Sequence, residues 1–200
     1  MEMPMDKEYI RSVFSHMPRL ETERLILRQI KVGDTNDVFE YSSDPEVTKY
    51  LTWEPHPTKY YTKKYLHGVK NAYKEGRFFD WAIVLKATGK MIGTCGFTSF
   101  NYTENICEIG YVLNPRYRGY SLMPEAAWRV IGFAFEELSA RRVEARFMEE
   151  NSASLRVMEK CGMQLETVHK NALRKRGRDV NIGVCFLTET TYRDLISKKE

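Results

Sequence analysis

The sequence predicts an α/β fold: a mixed, mostly antiparallel sheet flanked by helices, with one parallel strand pair. Three observations carry that prediction. Residues 78–86 and 91–100 are β-rich runs separated by Ala87-Thr88-Gly89-Lys90, and a turn at 101–105 returns the chain to an alternating run at 106–113. Together they read as a three-stranded antiparallel meander. The helix expected next leads to a further strand at 142–149, and a strand-helix-strand crossover makes that strand parallel to 106–113. Finally, 200 residues with 42% hydrophobic and 29% charged content suit one globular domain with a proper core.

Taken in order, residues 1–16 carry Tyr9, Ile10, Val13 and Phe14 in an amphipathic pattern, either a short helix packed on the body or a partner, or a mobile end. Residues 18–29 alternate around Leu25 and Leu27 as a first strand. Asp34 is placed to N-cap a short helix through Val38, Phe39 and Tyr41, which ends before Asp44-Pro45. The loop at 52–58, TWEPHPT, leads into a helix with Tyr61, Tyr65, Leu66, Val69 and Tyr73 at helical spacing. Aromatics so spaced are ordinarily core. Trp53 in the loop reads the same way, as core.

The helix after residue 121 presents Ala127, Val130, Ile131, Ala134, Phe135 and Leu138 as an apolar stripe, with Pro124 tolerated in its first turn. Asn151 caps a helix carrying Leu155, Met158 and Cys161, which Gly162 stops. Two strands, at 164–168 and 180–187, close the chain. The segment joining them, HKNALRKRGRD, holds Lys170, Arg174, Lys175, Arg176 and Arg178, the most basic run in the protein. Such a run is a solvated hairpin or a local field that steers an acidic partner or a phosphate.

Composition narrows the function classes. Thirty-one Lys plus Arg against 27 Asp plus Glu give a net charge of +4, too small to argue for nucleic acid yet no obstacle to an anionic ligand. Cys95, Cys107, Cys161 and Cys185 have no C-x-x-C spacing, and the N-terminus lacks a secretory apolar core. A reduced, cytoplasmic protein is therefore expected. The histidines at 16, 56, 67 and 169 show no ligand spacing, so no metal is expected. No apolar run approaches the roughly 20 residues that cross a bilayer.

The chain is organised around residues 106–126, ICEIGYVLNPRYRGYSLMPEA. Its strand half alternates, with Ile106, Glu108, Gly110 and Val112 on one face and Cys107, Ile109, Tyr111 and Leu113 on the other. Asn114-Pro115 stops the strand, and Arg118-Gly119-Tyr120-Ser121 leads into the helix. Unpaired N–H groups and the positive end of a helix then converge where an anion can sit. Gly119 permits positive φ and a close backbone approach. Read alone, the segment is equally a neutral turn.

Its flanks decide: strand, N-P, R-x-R-G-Y-S-L-M-x-E-A and amphipathic helix resemble the acyl-CoA-binding motif of GNAT (GCN-five-related) N-acetyltransferases. The consensus loop Q/R-x-x-G-x-G/A falls on residues 118–123. Ser121 stands where that family most often has glycine, and Met123 where it has Gly or Ala. The L-M-x-E-A ending, the T-E-R-L-x-L-R at 22–28 and the E-I-G-Y at 108–111 resemble the branch of Rim-type ribosomal-protein N-terminal acetyltransferases. Asn151-x-x-Ser154 followed by R-V-M-E-K-C-G-M resembles the family's N-x-x-S-x-x-x-x-E-K-x-G-F segment. The match runs from about Met17 to the C-terminus, which makes 17–200 the expected catalytic domain and 1–16 an extension.

The resemblance implies transfer of acetyl from acetyl-CoA to a primary amine, with the donor in the wedge between the strands at 106 and 142. Leu113, Arg118, Gly119, Tyr120, Ser121, Leu122, Met123, Asn151 and Ser154 would bind it. The acceptor is then a protein N-terminal α-amine, or alternatively a small amine such as a polyamine, amino acid or drug. Trp53 and His56 would stand at the acceptor wall. An alkyl ammonium has a pKa near 10 and must lose a proton before it attacks. Glu108, a carboxylate in an otherwise apolar strand, is the candidate base, since burial raises such a group's pKa; its other reading is a partner for an arginine. A splay or bulge near Gly110 would free N–H groups for the oxyanion. Met158 stands where many relatives have the tyrosine that protonates the thiolate, leaving Ser121 or Tyr111 as candidates. Two rival classes are a non-catalytic acyl-CoA sensor and an RNA- or ribosome-associated protein using the basic run. Oligomeric state, a homodimer included, is open.

Overall fold

The computed structural model describes residues 5–198; the first four residues of the expected N-terminal extension, and residues 199–200, lie outside the described residues. The helices are α1 (Lys7–Ser15), α2 (Thr35–Ser42), α3 (Pro45–Thr48), α4 (Lys59–Lys74), α5 (Leu122–Glu137), α6 (Ser152–Lys160) and α7 (Glu189–Ser197). The strands are β1 (Leu20–Glu21), β2 (Leu25–Arg28), β3 (Asp80–Leu85), β4 (Met91–Asn101), β5 (Ile106–Leu113), β6 (Arg142–Met148), β7 (Gln164–Lys175) and β8 (Arg178–Thr188). They form one eight-stranded sheet in the order β1-β2-β3-β4-β5-β6-β8-β7. Neighbours pair antiparallel except β5 and β6, the parallel pair that the crossover through α5 imposes.

Alternation along β3 and β4 divides the sheet into two faces. Trp81 and Phe97 point to the side covered by α5 and α1, where their rings meet Phe133 and Phe14. Phe14 is fully buried, with five aromatic rings at centroid distances of 5.0–6.4 Å. The amphipathic segment near the N-terminus is thus a helix packed on the body. Asp6 caps it by accepting from the Tyr9 N–H, and Ile10 joins Phe14 in the core. The opposite face is covered by α2 and α4: Asp37 accepts from the Met91 N–H, and the Tyr73 hydroxyl donates to the Asp80 carbonyl.

Four local expectations need correction. Residues 18–29 form two strands that pair with each other, because the chain reverses at Thr22, whose N–H and hydroxyl both donate to the Leu25 carbonyl. The Asp34 side chain does not cap α2. It accepts from the Lys31 N–H at 2.7 Å and is gripped by both terminal nitrogens of Arg28, each at 2.8 Å. The basic segment after residue 168 is strand, and the turn is only Arg176-Gly177, with φ of 47° and 80°. Two successive positive φ values suit a tight hairpin whose twist matches its strands. Finally, the chain closes on α7, which Thr188 caps by accepting from the Thr191 N–H.

Candidate active site

The parallel ladder between β5 and β6 is short. Residues Ile106 to Ile109 pair with Arg142 to Ala145, after which β5 continues to Leu113 along β4 and β6 to Met148 along β8. The strands therefore part after Ile109, next to Gly110, where the resemblance implied a splay or bulge. Beyond that point every second residue of β5 turns its N–H and C=O away from β4 into the gap. A cavity of about 440 Å³ occupies the opening, lined by Tyr111, Val112 and Leu113 of β5, by Asn151 and Ser154 at the start of α6, and by Arg118, Gly119, Ser121, Leu122 and Met123. Residues 46–51, at and after α3, form its far wall, a contribution that no sequence motif announced.

The loop from β5 to α5 is held from behind. Asn114, almost fully buried, accepts from the Arg116 N–H and donates to Glu40, which also binds Lys90 and Arg116. Arg24 donates to the Tyr120 carbonyl at 3.0 Å and pairs with Glu125 at 2.6 Å, while the Thr22 hydroxyl takes the other Glu125 oxygen. Gly119 has φ of 87° with open space where a side chain would stand. Ser121, at φ 56°, makes no side-chain cap on α5; its hydroxyl accepts from Lys160 at 2.9 Å instead. The first N–H groups of α5 thus face the cavity without an intrahelical partner. Lys49, Arg118, Arg156 and Lys160 stand among the lining side chains against the single carboxylate of Glu46. This donor set suits a phosphorylated ligand, and the unpaired β5 edge suits an amide chain, so the residues present fit coenzyme A. Tyr120 is different: it is 66% exposed, and only its backbone belongs to the loop.

At the splay, Asn151 caps α6 through its amide oxygen, 3.2 Å from the Ser154 N. The Tyr111 hydroxyl reaches both the carbonyl and the hydroxyl of Ser154, at 3.0 and 3.1 Å. Burial pushes this phenol far above its ordinary pKa. Ser121 sits at the loop end of the cavity with its hydroxyl engaged by Lys160.

Glu108 lies on the opposite face of β5. Its Oε1 accepts from the Thr98 hydroxyl at 2.8 Å, and its Oε2 pairs with Arg146 at 3.2 Å, the arginine partner that the second reading of this residue expected. Pairing arises because the β4 bulge between Phe97 and Ser99 turns Thr98 toward β5, while β6 presents Arg146 on the same side. Glu108 shares this face with a row of direct cross-strand partners, Asp80, Gly96 and Gly110. A methyl group at Gly96 would lie 2.5 Å from Asp80 Oδ1, and one at Gly110 would lie 2.6 Å from Thr98 Cγ2. The two glycines therefore make a floor between two carboxylates.

Trp53 and His56 do not line the cavity. His56 is buried, its Nδ1 shares a 2.9 Å hydrogen bond with the Thr62 hydroxyl, and its ring sits 5.0–5.5 Å from those of Trp53, Tyr61 and Tyr65. Desolvation lowers its pKa. Packing in an aromatic cluster and the bond to Thr62 fix its position. Nearby, Lys175 donates to the carbonyls of Thr48 and Leu51, and Arg176 pairs with Glu54 at 2.6 Å. Part of the basic run is thereby tied to the wall loop. Asp80 was missed in the sequence; its only signal was a carboxylate opening the run DWAIVL.

Comparison with known proteins agrees with this architecture. The family described as acetyltransferase (GNAT) domain matches residues 24–164. An uncharacterised N-acetyltransferase of Bacillus licheniformis, p20, is 30% identical over 88% of this chain and 99% of its own. The [ribosomal protein uS5]-alanine N-acetyltransferase of Escherichia coli is 24% identical over 78% of this chain and 82% of its own. The crystal structure of a GNAT-family acetyltransferase from Bacillus anthracis superposes with a TM-score of 0.77 at 27% identity, covering 86% of this chain and 99% of that one. The splayed strand pair, the helix end without a cap and these relatives lead to one conclusion: the chain belongs to the GNAT acetyltransferase family and is an acetyl-CoA-dependent N-acetyltransferase.

Proposed function

We propose that the protein acetylates the α-amine at the N-terminus of a protein or peptide. The observation that carries this reading is the opening of β5 from β6 onto a face that bears carboxylates. Acetyl-CoA, when bound, supplies a thioester carbonyl to an incoming nitrogen. The loop N–H groups at residues 119–123, with Arg118, would hold its phosphates. Asn151, its oxygen engaged in the cap, offers its amide N–H groups to the pantetheine arm, and Leu113 and Ser154 flank that arm. The free N–H groups of β5 beyond Ile109 are the donors for a carbonyl oxygen as it gains charge.

Glu108 would take a proton from the acceptor nitrogen. Its orientation is set by Thr98 and Arg146, so it is aimed before substrate arrives. Tyr111 fixes the start of α6 against β5 instead of acting as the acid, and Ser121 serves the phosphate end. Similarity to the uS5-alanine acetyltransferase favours a protein α-amine. A small amine is the second reading, favoured by the ties between Lys175, Arg176 and the 48–54 loop, which close the hairpin tip over one end of the groove.

The test is thiol release from acetyl-CoA across N-terminal peptides and small amines, run on wild type and Glu108→Gln. Turnover confined to peptides and depressed in the variant is the expected result. Turnover with small amines alone would move the acceptor to that class, and tight binding of acetyl-CoA without turnover would make the protein a sensor.

A further inference from the structure

Asp80 opens β3 on the same face as Glu108, and its carboxylate overhangs Gly96, directly across from Gly110. It retains some surface of its own while densely surrounded by protein. Its backbone carbonyl accepts from Tyr73, but its carboxylate has no hydrogen-bond or ion-pair partner among the described residues. Arg28, on the adjoining β2, has both terminal nitrogens on Asp34. The titratable groups that sense Asp80 are Tyr41 of α2, Tyr65 and Tyr73 of α4, and Cys95 of β4. Burial raises the pKa of each, so all four stay neutral at neutral pH, and a phenol or thiol carries no positive charge in either state. A carboxylate held over Gly96, partly open to solvent and unpartnered among the described residues, lacks one thing, a cation.

Chemistry supplies it. An ammonium nitrogen carries three protons and an amide nitrogen one, so acetylation removes two protons from the same atom. One carboxylate held by Arg146 cannot receive both while keeping its place. We propose that Asp80 is the second carboxylate of the acceptor site, binding the acceptor as its ammonium and taking the first proton. The inference rests on acetyl transfer to an amine, as proposed above. The ammonium donates to Asp80 Oδ over the Gly96–Gly110 floor and passes it a proton, leaving a neutral amine and a carboxylic acid. The nitrogen lone pair forms the C–N bond to the thioester carbon, the C–S bond breaks, and sulfur leaves as thiolate. The second nitrogen proton goes to Glu108. Of the two protons, one ends on the thiolate and one in solvent.

Desolvation raises the Asp80 pKa to about 7, close to that of an α-ammonium at about 7.7–8.0 and far from an alkyl ammonium near 10. Proton transfer is therefore nearly level for an N-terminal α-amine and steeply uphill for a lysine-like amine. The same residue would select the acceptor class and activate it.

The test compares wild type, Asp80→Asn and Glu108→Gln with one N-terminal peptide at pH 6.5 and pH 9.5. Asp80→Asn is expected to lose about 10²-fold in kcat/KM at pH 6.5. The deficit should shrink to a few-fold at pH 9.5, where solution has already removed the first proton. Glu108→Gln should lose activity by the same factor at both pH values, because the second proton is never lost in advance. An Asp80→Asn deficit that is absent, or equal at both pH values, would overturn the proposal. If wild type turns over no amine, the acetyl-transfer reading fails separately and the carboxyl carbon resonance of Asp80, assigned by its loss in Asp80→Asn, decides. In wild type with coenzyme A bound it must shift on adding the free peptide and not the N-acetylated one; equal response to both overturns the proposal.

Discussion

On one face of the sheet Trp81, Phe97 and Phe133 close around Phe14; on the other, one residue back along the same strand, the Asp80 carboxylate stands over Gly96 with no partner among the described residues. The backbone is shared and the side chains alternate, so the two faces are built from one set of strands. The aromatic face fixes register, since a one-residue slip would drive Trp81 into the groove and Asp80 into the core. Register fixed from one side frees the other to carry small residues, a bulge and carboxylates that pack poorly. The aromatic cluster is confined to the first face, and the carboxylates Asp80 and Glu108 to the second.

Variants on each face test that division. Phe14→Ala removes the centre of the aromatic cluster and should destabilise by about 3–5 kcal/mol in urea unfolding. An effect below about 1 kcal/mol would mean that the packing around α1 contributes little. Glu108→Gln should do the reverse, lowering kcat about 10²-fold with an unchanged melting temperature. A comparable loss of stability would show that the Thr98 and Arg146 contacts serve the fold.

The division sharpens at Asp80. Because its carboxyl is raised above the unfolded value of about 3.9, the native state binds the extra proton between there and about 7. That contribution is full below pH 4 and is lost as pH rises through 7. Asp80→Asn stays neutral throughout, so its stability should gain on wild type between pH 4 and 8. The gain is on the order of 1–2 kcal/mol, since solvent reaches part of the side chain. A difference independent of pH would contradict this. Least of all, Arg176→Ala should leave the melting temperature unchanged, because its pair with Glu54 is exposed. A change confined to the KM for the acceptor would place the hairpin tip at the groove.

The cofactor side was legible because it is contiguous. Strand, Asn114-Pro115, Gly119 and the start of α5 follow one another in the chain, so local chemistry predicted the loop, while the splay was implied by the family resemblance. The acceptor face was not. Asp80, Thr98, Glu108 and Arg146 come from four strands, and only the register brings them together. Glu108 was named without its partners, because nothing in the sequence announces a bulge that swings Thr98 toward it. The surroundings of His56 were not legible either: the aromatic spacing marked α4 as packed, yet not that its tyrosines would enclose the loop histidine. The basic run was read as a connection because edge strands with a solvated face lack the apolar alternation that marks buried ones.

Phe14 carries a consequence for biosynthesis. Among the described elements α1 leaves the ribosome first, yet Phe133, the last ring of its cluster, is added about 120 residues later. At 5–20 residues per second that interval is on the order of ten seconds. Phe79, Trp81, Phe97 and Phe100 emerge within it, so the nine-residue segment carrying Ile10 and Phe14, too short to hold as a helix alone, gains its cluster ring by ring. Completion of the aromatic cluster is then a late, post-α5 event, and a nascent chain stalled before residue 133 would still lack its last ring.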